Sequence, residues 1–235
     1  MDSLKELIKG LKKIKEMGFV KTHRRGNTGI GKTLEDILNI DENNIPDPDI
    51  GKIELKSARK NSISFLTLFT KSPLPPSANS LLLKTYGYPS SKRKDKKELH
   101  TTVSALFFNN LKGKKGFKIK VLKNKIKLIS EKNKCLGYWD KETLQKSFER
   151  KLPHLVYVKA ECKGTGEDEE FWFNEAWFLE GFDFDKFVSL VKKGVILIDI
   201  RIGQYSDGRP HDHGTAFRVR PDRLEQCFEH RKRIV

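Results

Sequence analysis

Two carboxylates and a lysine lie close together in the segment Pro46–Lys56, which reads P-D-P-D-I-G-K-I-E-L-K. Asp49 is followed by Glu54 and, two residues later, by Lys56. Successive side chains of a strand point to opposite faces, so we expect Glu54 and Lys56 to share an outward face with Asp49. Two carboxylates at the mouth of a strand suit Mg²⁺, and a neighbouring lysine can polarise water or stabilise charge that develops on phosphorus. The pattern is typical of a metal-dependent phosphodiesterase.

The short E-x-K pattern also occurs at 149–151 and 161–163, in a chain rich in both residue types. From the segment alone, a solvated strand face with a surface ion pair is an equally good interpretation. The first copy is favoured because a Pro-Asp pair precedes it, as does a short predicted helix that carries Glu35. The copy at 149–151 lies in a helical pattern, where its charges would not share a face. The copy at 161–163 ends an apolar run and remains the local alternative.

The composition favours a polyanionic partner. The 235 residues carry 47 Lys+Arg against 31 Asp+Glu, a formal net charge of +16. Nucleic acid is favoured over an anionic membrane because no predicted helix combines a basic face with an aromatic apolar face.

Three cysteines lie far apart without a C-x-x-C pattern, which fits a reducing cytoplasm better than a disulfide framework or a zinc site. No segment approaches the length of a membrane span, and no signal peptide is predicted.

Hydrophobic spacing predicts helices and strands that alternate without a regular period. Helices are expected over residues 3–17, about 33–39, 81–86, 141–150, 184–194 and 221–229. Strands are expected near 53–56, 62–71, 100–108, 154–162, 170–180, 195–202 and 215–219, with a hairpin over 116–129. We therefore predict an α/β (mixed α+β) fold with a central mixed sheet flanked by helices.

Two lysine-rich surfaces are expected to contact the DNA backbone, with a solvated surface as the alternative. They are the loop Ser90–Lys97 and the outward face of the hairpin.

The glycine-rich segment 26–33 matches the nucleotide-binding pattern G-x-x-x-x-G-K-[ST] letter for letter. A true P-loop needs a buried strand that leads directly into it. Residues 21–25 read K-T-H-R-R, which cannot form a central strand. We therefore expect a turn that caps the second helix near a DNA phosphate. Nucleotide binding remains an alternative.

Charged and aromatic groups suited to reading base edges concentrate in the segment 199–218. The candidate residues are Asp199, Arg201, His211, Asp212, His213 and Arg218. Arginine can make forked hydrogen bonds to guanine, histidine can also donate to guanine, and aspartate can accept from cytosine N4. A zinc site is weakly indicated because two histidines at i and i+2 have no cysteine partner. A purely structural polar loop is the other interpretation.

Four blocks of sequence, taken in order, resemble the MvaI/BcnI family of type II restriction endonucleases, nearer to the MvaI side of that family. The blocks are G-N-T-G-I-G-K-T-L-E-D (26–36), P-D-I-G-K-I-E-L-K (48–56), L-T-L-F-T-K-S-P (66–73) and D-I-R-I-G-Q-Y…H-D-H-G-T-A-F-R (199–218). The resemblance runs from the glycine turn to near the C-terminus, but about 85–150 matches poorly. Four ordered blocks are far more specific than any one of them.

The resemblance implies a PD-(D/E)xK nuclease fold, which the mismatch-repair nicking enzyme MutH shares. It places the Mg²⁺-dependent active site at Asp49, Glu54 and Lys56, with Asp49 and Glu54 as metal ligands and Glu35 as a supporting carboxylate. It places sequence reading in the segment 199–218. It also implies a monomer that needs no protein partner and cuts double-stranded DNA at a CCNGG-type site, with CCWGG favoured, leaving 5′-phosphate and 3′-hydroxyl ends.

The domain organisation expected from this resemblance is a single nuclease domain, 1–235. It would have two lobes around a DNA cleft, a catalytic lobe of about 1–150 and a base-recognition lobe of about 151–235. Two alternatives to a restriction enzyme remain. One is a MutH-like nicking endonuclease that needs a partner protein, and the other is a P-loop-like nucleotide-binding protein without nuclease activity.

Overall fold

The computed structural model describes residues 3–40, 49–152 and 154–235. The helices are α1 (Leu4–Glu16), α2 (Gly29–Ile37), α3 (Ala78–Tyr86), α4 (Lys141–Lys151) and α5 (Phe184–Lys192), with short 3₁₀ segments at Gly166–Asp168 and Pro221–Gln226. The strands are β1 (Val20–Lys21), β2 (Ile53–Arg59), β3 (Leu66–Thr70), β4 (Tyr88–Pro89), β5 (Lys97–Val103), β6 (Asn110–Leu111), β7 (Lys114–Lys115), β8 (Phe117–Val121), β9 (Lys125–Ser130), β10 (Cys135–Asp140), β11 (His154–Lys163), β12 (Glu170–Glu180), β13 (Ile196–Gln204), β14 (Pro210–Asp212), β15 (Ala216–Val219) and β16 (His230–Arg233). Within the described ranges, no helix is both long and apolar enough to cross a membrane.

The chain divides into two compact units, each assembled from segments distant in sequence. The first unit comprises Met1–Ser64, Arg150–Phe182 and Glu225–Val235, and the second comprises Phe65–Glu149 and Asp183–Leu224. These units differ from the contiguous lobes that were expected. The single nuclease domain with two lobes around a DNA cleft stays a prediction.

The first unit is built on a mixed sheet in the order β1-β12-β11-β2, with β16 also paired to β12. β2 runs parallel to β11, whereas the other pairings are antiparallel. Helix α1 is capped by the Ser3 hydroxyl, which accepts a hydrogen bond from Glu6 N at 3.3 Å. Its apolar side buries Leu7, Leu11 and Ile14 in a core shared with β2, β11 and β12. This packing fixes β2, the strand that carries the predicted catalytic pair.

The second unit contains a larger sheet in the order β3-β15-β13-β5-β4, with β14 paired to β13, and a separate antiparallel sheet β10-β9-β8. Its core is strongly aromatic. The Phe69 ring stacks on Phe217 with centroids 4.9 Å apart, and Phe187 contacts both rings at 5.5 and 5.4 Å. This packing holds β13 and β15, which carry the two ends of the segment 199–218.

The mixed α/β class predicted from the sequence is confirmed, but three details differ. The strands form several sheets instead of one, because the polar turns between them leave separate apolar faces to bury. Helix α2 begins at Gly29, so much of the expected glycine turn is helical. The expected last helix is only the 3₁₀ segment Pro221–Gln226, after which β16 pairs with backbone groups of β12.

Candidate active site

Strand β2 places Glu54 and Lys56 on one face, as alternation requires, while Ile53 and Leu55 enter the core. The expectation that the charged pair faces outward is wrong for Glu54, whose side chain is 0% exposed. Lys56 is partly exposed, at 26% of its side chain. Alternation gives the face of a residue but not its depth, and here the parallel neighbour β11 runs alongside β2 over its whole length.

A tight turn brings Asp49 back to the start of β2. The turn closes through two backbone hydrogen bonds between Ile50 and Ile53, of 3.0 and 2.8 Å. Gly51 adopts a φ of 56°, a left-handed conformation that glycine takes without strain. Asp49 Oδ2 accepts a hydrogen bond from Leu55 N at 2.7 Å, which anchors the carboxylate beside Glu54. The preceding Pro46, Asp47 and Pro48 of the motif lie outside the described residues.

Two lysines pair with the buried Glu54 carboxylate. Lys56 Nζ donates a hydrogen bond to Oε1. Lys151 Nζ, at the end of α4, lies 2.8 Å from Oε2 in an ion pair. Burial raises the pKa of Glu54, and the charge of Asp49 raises it further, while Lys56 and Lys151 act in the opposite direction. The site therefore holds two carboxylates and two ammonium groups, and the Glu54 carboxylate is buried away from water.

Glu35 on α2 borders the same region of the first unit. Together with Lys56, Ser57, Arg24 and Lys32, it lines a cavity of about 270 Å³. Helix α2 approaches β2 closely here, since a methyl group at Gly31 would lie 3.8 Å from both Glu35 Oε1 and Ser57 Oγ. The structure thus brings the helix-borne carboxylate and the strand-borne lysine to one cavity.

The donor set fits a hard divalent cation. Carboxylate oxygens are the ligands that Mg²⁺ prefers. Glu54 Oε2 is buried and accepts no hydrogen bond from any described residue, and Asp49 engages only Oδ2 with described partners. No group of three His, Cys, Asp or Glu side chains with metal-binding geometry occurs in the described part of the chain, so a cation here would need further oxygen ligands, such as a substrate phosphate.

The two rival E-x-K copies behave differently from the first. Glu161 pairs with Lys60 at 3.0 Å, while Lys163 pairs with Glu170 at 2.8 Å, so that copy is split between separate surface contacts. The other copy supplies Lys151 to the candidate site. Sequence reasoning missed this residue because the contact joins a helix end to a strand almost one hundred residues earlier, and no local spacing encodes it.

The P-loop pattern does not form a P-loop. The strand before it, β1, is only two residues long, and the pattern's lysine and threonine lie within α2. Lys32 pairs with Asp36 at 2.7 Å, and Thr33 Oγ1 donates to Gly29 O at 2.8 Å. Gly29 is needed for packing, since a Cβ there would lie 2.2 Å from Arg24 O. Gly29 therefore allows a close backbone approach and does not bind a phosphate in a P-loop.

In the second unit, Arg218 and Asp199 face each other on the paired strands β15 and β13. Arg218 Nη1 lies 2.9 Å from Asp199 Oδ2, and Arg218 Nε donates to Thr67 Oγ1 at 3.0 Å. Thr102 Oγ1 donates to Asp199 Oδ1 at 3.3 Å. The predicted pair is therefore brought together and held in a fixed orientation.

Asp212 makes structural contacts with both carboxylate oxygens. Oδ1 accepts from the backbone N–H groups of Gly214 and Thr215, both at 2.8 Å. Oδ2 accepts from Ser72 Oγ at 2.6 Å and from Asn79 Nδ2 at 3.1 Å. These bonds fix the loop between β14 and β15, so Asp212 positions its neighbours.

The two predicted histidines belong to a row of rings. The His211 ring stacks on the Tyr205 ring with centroids 4.4 Å apart. The His213 centroid lies 4.3 Å from that of His211 and 6.0 Å from that of His100. Burial lowers the pKa of His213, as do the charges of His211, His100 and Arg201, while Asp212 raises it. Sequence reasoning missed Tyr205 and His100, because only the sheet pairing brings these rings into line.

Arg201, like His213, is exposed among the predicted reading residues. Its side chain is exposed, and within residues 3–40, 49–152 and 154–235 no hydrogen bond or ion pair engages its guanidinium group. It lies on β13 opposite His100 of β5. An exposed guanidinium on a rigid central strand suits forked recognition of a base or phosphate.

Comparisons with known proteins give a family model and solved structures that the chain resembles. Residues 8–228 match the model of the MvaI/BcnI restriction endonuclease family. The restriction endonuclease MvaI in complex with its cognate DNA substrate is 33% identical, with a TM-score of 0.86 and full coverage of both chains. The same enzyme in the absence of DNA is 32% identical, again over both whole chains, with a TM-score of 0.60. No curated protein sequence matches the chain.

Proposed function

Since the chain belongs to the MvaI/BcnI restriction endonuclease family, we propose that it hydrolyses double-stranded DNA with Mg²⁺ at a CCNGG-type site, with CCWGG favoured, leaving 5′-phosphate and 3′-hydroxyl ends. It is a type II site-specific deoxyribonuclease, and its partner is DNA. The observation that carries the mechanism is the convergence of Asp49 and Lys56 on the buried carboxylate of Glu54.

We assign a distinct role to each side chain of the candidate active site. Asp49 and Glu54 would hold the metal, which supplies Lewis-acid charge against the scissile phosphate when bound. Lys56 orients or deprotonates the attacking water for in-line displacement. Glu35 orients Lys56 or that water across the cavity that both residues line. Burial of Glu54 excludes bulk water and strengthens these electrostatic interactions.

We assign the recognition of DNA bases to residues of the second unit. Arg201, His211 and His213 offer donors for guanine, while the Arg218–Asp199 pair presents a donor and an acceptor in a fixed orientation. Asp212 fixes the loop and contributes indirectly. Lysines of the β8–β9 hairpin contact phosphates. We further propose that the enzyme acts as a cytoplasmic monomer without an obligatory protein partner.

The test is digestion of a mapped DNA by the isolated protein with Mg²⁺, followed by sequencing of the ends. Linear product with 5′-phosphates at one short motif is expected. Asp49→Ala and Lys56→Ala should bind the same DNA but lose cutting. Lys52→Ala is the matched control, because Lys52 lies in the same turn with its side chain exposed.

Retained cleavage by both variants would remove the assignment of these residues. Nicked DNA without linear product would favour the MutH-like alternative, which requires a partner protein. The absence of any Mg²⁺-dependent cutting would leave a DNA-binding protein without nuclease activity.

A further inference from the structure

We propose that Lys151 is a resident counter-cation of Glu54 that makes metal binding depend on DNA. It occupies one carboxylate oxygen in the free enzyme and leaves when the metal and a DNA phosphate arrive together. This inference rests on the proposed metal-binding role of Glu54.

The first step concerns the arrangement of charges around Glu54. Its carboxylate is fully buried, with Lys56 at Oε1 and Lys151 Nζ 2.8 Å from Oε2. With Asp49 anchored nearby, two negative side chains face two positive ones. The charges of these four side chains sum to zero, so a divalent cation would add positive charge that none of the four compensates. A DNA phosphate supplies the missing negative charge, which is why metal and DNA should enter together.

The second step is competition for one oxygen. Mg²⁺ requires an oxygen ligand at about 2.0–2.1 Å with near-octahedral geometry. An ammonium group 2.8 Å from Glu54 Oε2 repels any cation that approaches that oxygen. The metal can take Oε2 fully only if Lys151 moves away.

The third step is that Lys151, rather than Lys56, can move. Lys56 projects from the middle of β2, which is paired with β11 along its length. Lys151 differs in its position, because it is the last residue of α4. Its side chain is about as exposed as that of Lys56, 21% against 26%, and from the helix end its head group can turn toward water. The last carbonyls of a helix attract a cation, which gives the displaced ammonium an alternative position.

The experiment is calorimetric titration of Mg²⁺ into the free enzyme without DNA. Lys151→Met should bind Mg²⁺ about tenfold tighter than wild type, a typical size for coupling between two sites. Lys151→Arg, which keeps the charge, should behave like wild type. Lys146→Met is the matched control on α4, since Lys146 is exposed and pairs with Glu142 at 2.9 Å.

A second readout covers the case in which Lys151→Met is destabilised. At a given concentration, a ligand that binds the folded state raises the unfolding temperature more when it binds more tightly. Mg²⁺ should therefore raise the unfolding temperature of Lys151→Met more than that of wild type or Lys146→Met. Lys151→Gln should give the same result.

The outcomes separate this inference from the proposed function. If Glu54→Gln binds Mg²⁺ as wild type does, the metal site itself is misassigned. If Glu54→Gln loses binding but Lys151→Met shows no gain in affinity or thermal shift, the role of Lys151 is overturned and the metal site stands.

Discussion

The two units of the molecule differ sharply in charge. The segments of the first unit contain 20 Lys+Arg and 19 Asp+Glu, whereas those of the second contain 27 and 12. The second unit therefore carries +15 of the formal net charge of +16. Residues 90–134 alone contain 15 basic and three acidic side chains, which makes this segment the main candidate for phosphate contacts.

The difference follows from what each unit has to do. A site that holds a metal cation needs acidic groups close together, and a large basic excess around them would oppose the metal. In the first unit the acid at the centre of the candidate site, Glu54, is buried and paired with both Lys56 and Lys151. Attraction for a polyanion needs exposed positive charge, which the second unit supplies. Changes in the first unit should act on the chemical step, and those in the second on DNA affinity.

The sharpest contrast should come from Glu54→Gln, which we expect to lower the cleavage rate by roughly 10²–10³-fold or more and to raise thermal stability. Burial raises the pKa of Glu54, so its ionised form is less favourable in the folded than in the unfolded chain. The contribution of Glu54 to stability therefore falls as pH rises from its ordinary value, about 4.5, through the raised one. The glutamine variant should unfold at a higher temperature than wild type at pH 8, measured without divalent metal.

Glu161→Gln is the control for that experiment. Hydrogen bonds from Asn174 and Lys60 lower the pKa of Glu161, so no stabilisation is expected when it is neutralised. A Glu54→Gln variant that is less stable than wild type at pH 8 would contradict the prediction and show that the two ion pairs outweigh the cost of burial.

Reversing charge in the second unit should weaken binding without changing the chemical step. Lys118→Glu with Lys120→Glu alters two lysines on β8. If each contacts one phosphate, the slope of log affinity against log salt should fall by about two. The single-turnover rate at saturating DNA should match wild type.

The control is Lys12→Glu with Lys13→Glu, which makes the same charge change on the exposed side of α1 in the first unit. It should leave the slope of log affinity against log salt almost unchanged. Equal losses in both double variants would remove the distinction between the units.

Arg218→Ala should reduce specific binding by roughly 1–3 kcal/mol, the value of one forked base contact. Binding to unrelated DNA should stay the same. Arg220→Ala is the control, because Arg220 is exposed just beyond β15 and pairs with Asp222 at 3.1 Å. A uniform loss on all DNA sequences would make Arg218 a phosphate contact instead.

The sequence predicted those parts of the molecule that depend on local pattern. Local hydrophobic pattern identified β2, β13 and β15. Asp49, Glu54 and Lys56 are close in the structure because one tight turn and one strand contain all three. Helical spacing gave α1 and α5 almost to the residue. These features rest on short-range geometry, which a sequence displays directly.

Features that depend on packing between distant segments could not be read in the same way. The depth of Glu54 depends on β11, and the arrival of Lys151 depends on where α4 ends. Asp212 looked like a base-reading group, because nothing local shows that Ser72 and Asn79 would occupy its oxygens. Type and spacing identify candidates, but the partners of a polar group are set by the tertiary fold.

The smallest effect we expect is a pH dependence that arises in the second unit alone. Burial and the charges of His211, His100 and Arg201 lower the pKa of His213, with Asp212 opposing them, so the neutral ring is favoured over that of an ordinary histidine in the free enzyme. A nearby DNA phosphate favours the protonated ring, so binding takes up a proton and affinity should rise as pH falls from 7.5 to 5.5. One linked proton contributes at most about tenfold per pH unit.

The measurement is DNA binding without metal as a function of pH. His213→Gln should flatten the curve of affinity against pH, whereas His154→Gln in the first unit should leave it unchanged. An identical pH curve for His213→Gln and wild type would mean that this ring does not meet DNA, and would move base reading toward Arg201 and the Arg218–Asp199 pair.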